Sequence, residues 1–132
     1  MDALSEIPPL AGPGSEIEKT ASQLTHVLLI EDNPGDARLI EFMVREAGCE
    51  VFSFERVERL GEGLERLSQG GVGVVLLDLS LPDSHGLDTF FQLRGAVPGI
   101  PIIVLSGLND TSIAVEAVHE GAQDFLVKGQ VD

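Results

Sequence analysis

Five side chains at four places in this chain could do chemistry together: the acids Glu31 and Asp32, the carboxylate of Asp78, the hydroxyl of Ser106 and the ammonium of Lys128. Each place follows directly on a short apolar run, residues 26–30 (HVLLI), 72–77 (VGVVLL), 101–105 (PIIVL) and 124–127 (DFLV). Runs of this kind read as strands buried on both faces. In a parallel sheet every strand delivers its carboxyl end to one edge, where open α/β sheets bind ligands. Three carboxylates gathered there repel, at about 4 Å by on the order of 4 kcal/mol per pair in a medium of effective dielectric near 20. Cations must offset this. Lys128 supplies one, and carboxylate oxygens with backbone carbonyls suit Mg²⁺. A carboxylate beside a metal and a lysine can act as nucleophile toward a phosphoryl group, with Ser106 donating a hydrogen bond to a phosphoryl oxygen. A plainer reading of Asp78 is a cap closing a strand-to-helix loop. No histidine is placed as a general base: His26 precedes a strand, His85 lies in the loop after Asp78 and His119 stands near a helix end, and all three read as surface residues.

The elements that must position these groups alternate. Pro34 sits well at a first helical turn with Asp32 or Asn33 as cap, and Ala37, Ile40, Met43, Val44 and Ala47 then share one helical side up to Gly48. Residues 49–54 predict a short strand, followed by a helix carrying Val57, Leu60, Leu64 and Leu67 and closed by Gly70 and Gly71. After Asp78, the residues Pro82, Asp83 and Gly86 predict a turn, and a third helix carries Leu87, Phe90, Phe91 and Val97. Asn109 and Asp110 are placed to cap a fourth helix with Ile113, Ala114, Ala117 and Val118, stopped by Gly121. Alternation of this kind predicts an α/β fold with a doubly wound parallel sheet.

Four motifs in order, EDNP (31–34), LDLSLP (77–82) with Gly86, LSG (105–107) and GAQDFLVK (121–128), resemble the response regulator receiver domain of two-component signalling. The resemblance spans about residues 25–130 and implies a flavodoxin-like five-stranded sheet of order 2-1-3-4-5. It implies Asp78 as phosphoacceptor, charged from a phosphohistidine on a sensor histidine kinase or histidine phosphotransfer protein. Asp32 would bind Mg²⁺ (or Mn²⁺) directly and Glu31 through water, with Asp78 and the backbone carbonyl of Ser80 as further ligands. Lys128 would pair with the phosphoryl group, Ser106 would be the switch hydroxyl and Phe125 the aromatic that changes rotamer with it. Ser80 and Leu108 would tune the lifetime of the acyl phosphate. Many relatives follow the lysine with proline, where this chain has Gly129. The resemblance implies a fifth helix with no counterpart before Asp132, so the expectation is either that the sequence is cut from a longer protein or that residues 1–24 or a second copy, as a homodimer, cover that sheet face.

Composition narrows the setting. One domain is expected, with residues 1–24, rich in Pro, Gly and acids, as a flexible leader that could end in a short helix, and 25–132 as the folded part. A formal charge of -14 argues against nucleic acid as a direct partner. Cys49 is the one cysteine, so an internal disulfide is impossible and a buried apolar role is expected. No apolar run reaches the length of a membrane span and no export signal opens the chain, so a cytoplasmic setting is expected. A receiver-like interaction module that never takes phosphate is the alternative. A phosphohydrolase fits less well, because Ser80 stands where a second acid is common, and a dinucleotide enzyme lacks its glycine-rich turn after the first strand.

Overall fold

The computed structural model describes residues 25–47 and 52–128. The first apolar run forms strand β1 (Thr25–Ile30), and helix α1 (Pro34–Glu46) follows. Asn33 caps that helix, its side chain accepting from the amide of Asp36 at 2.9 Å, with Pro34 at the first helical position. Strand β2 (Phe52–Val57) and helix α2 (Leu60–Leu67) come next. Strand β3 (Val74–Asp78) leads through a two-residue hairpin, Ser80–Leu81 against Ser84–His85, into helix α3 (Leu87–Ala96). Strand β4 (Ile102–Ser106), a 3₁₀ turn (Leu108–Asp110), helix α4 (Thr111–His119) and strand β5 (Asp124–Val127) complete the order.

All pairings of the main sheet are parallel, in the order β2-β1-β3-β4-β5, as the resemblance implied. The central strands are apolar on both faces because both faces are covered. Leu28, Ile30, Val75, Leu77, Ile102 and Val104 join the larger cluster with α2, α3 and α4. Val27, Leu29, Leu76 and Leu105 join the smaller one with Ala37 and Ile40 of α1. Half-buried Val74, Ile103 and Leu126 border that smaller cluster. Among the described residues there are four α-helices, and the description ends at Lys128, one residue after β5.

Several expectations shift. The second strand extends to Val57, so Val57 belongs to the sheet and α2 begins at Leu60. Helix α2 lies so close to β1 that a side chain at Gly63 would collide with Ile30. Asp110 makes no side-chain cap on α4; the 3₁₀ turn leads in, and the hydroxyl of Thr111 donates to the carbonyl of Leu108. Phe91 is exposed beside the fully buried Phe90 because the two adjacent rings cannot face the same side of α3. Ala47 is exposed at the end of α1 rather than on its packed side. His26 lies inside β1 and is half-buried against Ser53 and Glu55, at 2.7 and 3.0 Å. The leader 1–24, its expected helix, the stop at Gly48, Cys49 and Gly129 lie outside the described residues.

Candidate functional site

Each element ends where its chemistry begins. Glu31 follows β1 and Asp78 closes β3, the strand pairs being set in register by Ile30 opposite Leu77 and Asp78 opposite Leu105. Ser106 closes β4, and the amide of Lys128 donates to its carbonyl at 2.7 Å, which pins the end of β5 to the same edge. Ligand oxygens of Glu31, Asp32 and Asp78 thereby lie within 4.8 Å of one another.

The ammonium of Lys128 reaches Glu31 Oε1 at 3.1 Å, Asp78 Oδ1 at 3.3 Å and Asp36 Oδ2 at 3.3 Å. Asp36 is a partner that sequence reasoning missed. Its only signal is its place in the first turn of α1, four residues after Asp32. The buried Glu31 spends its second oxygen on the amide of Asn33 at 3.2 Å, and Arg56 donates to its backbone carbonyl at 2.8 Å. Asp78 Oδ1 accepts from the amide of Ser80 at 3.2 Å, turning that residue back toward the acids.

Burial and like charge govern the protonation of this cluster. Burial first, then the carboxylate of Asp78, push Glu31 from an ordinary 4.5 up to about 7, against the pull of Lys128. Burial also raises Asp78, with Lys128 opposing. Burial alone would lower Lys128, but Asp78 and Glu31 together overturn that and hold it above the ordinary lysine range.

A cavity of about 450 Å³ opens beside Asp78, lined among others by Ser80, His85, Ser106, Asp110 and Lys128. The hydroxyl of Ser106 is buried there and has no hydrogen-bond partner among the described residues. A buried hydroxyl without a partner is costly unless something else comes to meet it. Phe125 is half-buried against the larger cluster, and Leu108 is exposed at the rim of the 3₁₀ turn. His85, expected as surface, is exposed but lines this cavity; His119 ends α4. The site therefore gathers a divalent-metal ligand set, one cation and one free hydroxyl around a single carboxylate, in an open α/β sheet.

That combination defines a receiver-type domain, and comparison with known proteins places it. Residues 27–131 match the response regulator receiver domain family, and the chain belongs to that family. It is 36% identical over 102 residues to the cell cycle transcriptional regulator CtrA of Caulobacter vibrioides, covering 77% of this chain and 43% of CtrA. It is 32% identical over 105 residues to the KDP operon transcriptional regulatory protein KdpE of Escherichia coli, covering 80% of this chain and 45% of KdpE. The chain thus spans less than half the length of these two relatives. A response regulator receiver domain protein from Clostridium thermocellum superposes with a TM-score of 0.68 at 25% identity, covering 82% of this chain and 85% of that one. Full-length FixJ from B. japonicum gives 0.68 at 26%, covering 81% and 51%. The protein carries the receiver domain of two-component response regulators, whose members generally bind Mg²⁺ at an acidic site of the kind formed by Glu31, Asp32 and Asp78.

Proposed function

We propose that Asp78 is the phosphoacceptor of a Mg²⁺-dependent switch. The observation that carries this reading is the single ammonium of Lys128 held among Glu31, Asp36 and Asp78 beside the unpartnered hydroxyl of Ser106. Asp32, Asp78 and the Ser80 carbonyl would hold the cation directly and Glu31 through water. The bound ion supplies positive charge to the phosphoryl oxygens and relieves the crowding of the three acids.

A carboxylate oxygen of Asp78 attacks the phosphorus of a phosphohistidine; the P–O bond forms as the P–N bond breaks, and its electron pair returns to the leaving imidazole. Lys128 gives up its share of the Asp78 charge and pairs with a phosphoryl oxygen. Ser106 gains in that oxygen the acceptor it lacks, and its movement frees space for Phe125 to follow. Those two shifts bias the loops and α4 toward one of two arrangements. Ser80 and Leu108, at the rim, govern how long the acyl phosphate survives. The donor is a sensor histidine kinase or a histidine phosphotransfer protein in the cytoplasm, and output passes through a further domain, a second copy or a partner chain.

Acetyl phosphate with Mg²⁺ tests the reading. Intact-mass measurement should show the gain of one phosphoryl group in the wild type and none in Asp78→Asn. Equal gains in both proteins would place the acceptor elsewhere.

A further inference from the structure

The loop after Asp78 is built, not slack. Ser80 and His85 are directly opposed in an antiparallel ladder, which puts their side chains next to one another on one face. Ser80 Oγ and His85 Nδ1 lie 3.4 Å apart. Three ties fix the hairpin. The amide of Gly86 donates to the carbonyl of Leu79 at 2.7 Å, with Gly86 in the left-handed region at φ 71°. Leu81, 1% exposed, anchors the hairpin in the core. Asp83 at the turn accepts from the amides of Leu60 and Gly61 of α2, at 2.9 and 3.0 Å.

That frame holds the His85 ring at the cavity wall beside Ser80 and Asp78. Its Nε2 has no hydrogen-bond partner among the described residues. Water that hydrolyses an aspartyl phosphate must come from the open side, opposite the Asp78 oxygen. Polar atoms at the rim hold such a water, whereas an apolar ring excludes it.

We infer that His85, set opposite Ser80 by the hairpin, is a positioning residue that orients the water ending the phosphorylated state of Asp78. The inference rests on the reading of Asp78 as phosphoacceptor. In the step it serves, the water oxygen bonds to phosphorus as the P–O bond to Asp78 breaks. The electron pair returns to the carboxylate, and both water protons leave on dihydrogen phosphate.

The test loads the full chain with acetyl phosphate and Mg²⁺, removes the donor and follows the phosphorylated mass with time. His85→Phe and His85→Ala should each lengthen the half-life about fivefold, the rate effect of one hydrogen bond. His85→Gln, which keeps a side-chain donor and acceptor, should restore it toward the wild type. The thermal midpoint should stay unchanged in all three, and steady loading should rise in step with the half-life in Phe and Ala. Half-lives equal to wild type in Phe and Ala overturn the role of His85 while leaving Asp78 as acceptor intact. Lengthening in Phe alone points to a steric plug and also overturns it. Failure of the wild type to gain mass, or equal gain in Asp78→Asn, overturns both readings.

Discussion

At the scale of the residue, the site is a charge problem with one cation for three acids in direct contact. Removing that cation leaves the buried carboxylates of Glu31 and Asp78 with backbone amides but no countercharge. Lys128→Met should lower the free energy of unfolding by about 3 kcal/mol, measured by urea denaturation at pH 8 without metal. A loss below about 1 kcal/mol would mean that the acids are already neutral there. The pH dependence has a definite sign. Glu31 ionises at about 7 in the folded chain against an ordinary 4.5, so between those values the native state keeps a proton that the unfolded chain has released. Metal-free stability should therefore fall as pH rises from about 4.5 to about 7. Asp78, also raised by burial, acts in the same direction. Urea midpoints across that range should show the decline, and Glu31→Gln should flatten it. An unchanged slope in that variant would assign the effect to other groups.

At the scale of the element, the loop carrying Ser80 depends on a contact between distant segments. Helix α2 has no side-chain cap of its own, since Arg59 precedes it without one. Asp83, more than twenty residues downstream, accepts its first amides instead. Desolvation pulls the exposed Asp83 carboxyl upward, but the amides of Gly61 and Leu60 together outweigh it and hold the group below the usual carboxylate range. Asp83→Ala should cost about 1–2 kcal/mol as a lost cap, and Asp83→Asn much less. Urea denaturation compares them. Equal losses would tie the effect to charge rather than to the accepted hydrogen bonds. Sequence reading took Asp83 as a turn residue, which it is, but its amide partners are remote and carry no local signature.

At the scale of the whole molecule, a formal charge of -14 opposes compaction everywhere, whereas a bound divalent cation acts at one edge of the sheet. The two effects are separable. Raising sodium chloride should raise the thermal midpoint of the wild type and of Asp32→Asn alike, by screening. At matched ionic strength, Mg²⁺ should raise it further in the wild type alone, through a stabilisation of about 2.7 kcal/mol at a hundred times the dissociation constant. An equal response in Asp32→Asn would remove that residue from the ligand set. The sheet itself is asymmetric among the described residues. Helices α2, α3 and α4 pack one face and α1 packs the other, where Val74, Ile103 and Leu126 are only half-buried.

The chain by itself determined the strands and their tips. Continuous apolar runs can be buried only between two layers, and Glu31, Asp78, Ser106 and Lys128 stand at or just past the ends of those runs. It also marked the start of α1, with Asp32 or Asn33 as cap before Pro34, because a cap acts within one turn, and in the structure that cap is Asn33. Only the tertiary structure decided that Asp36 completes the lysine's contacts, that Asp83 caps a helix it does not adjoin, and that His85 faces the cavity. Those pairings depend on chain segments brought together by sheet register and layer packing, and a one-dimensional pattern holds no record of that distance.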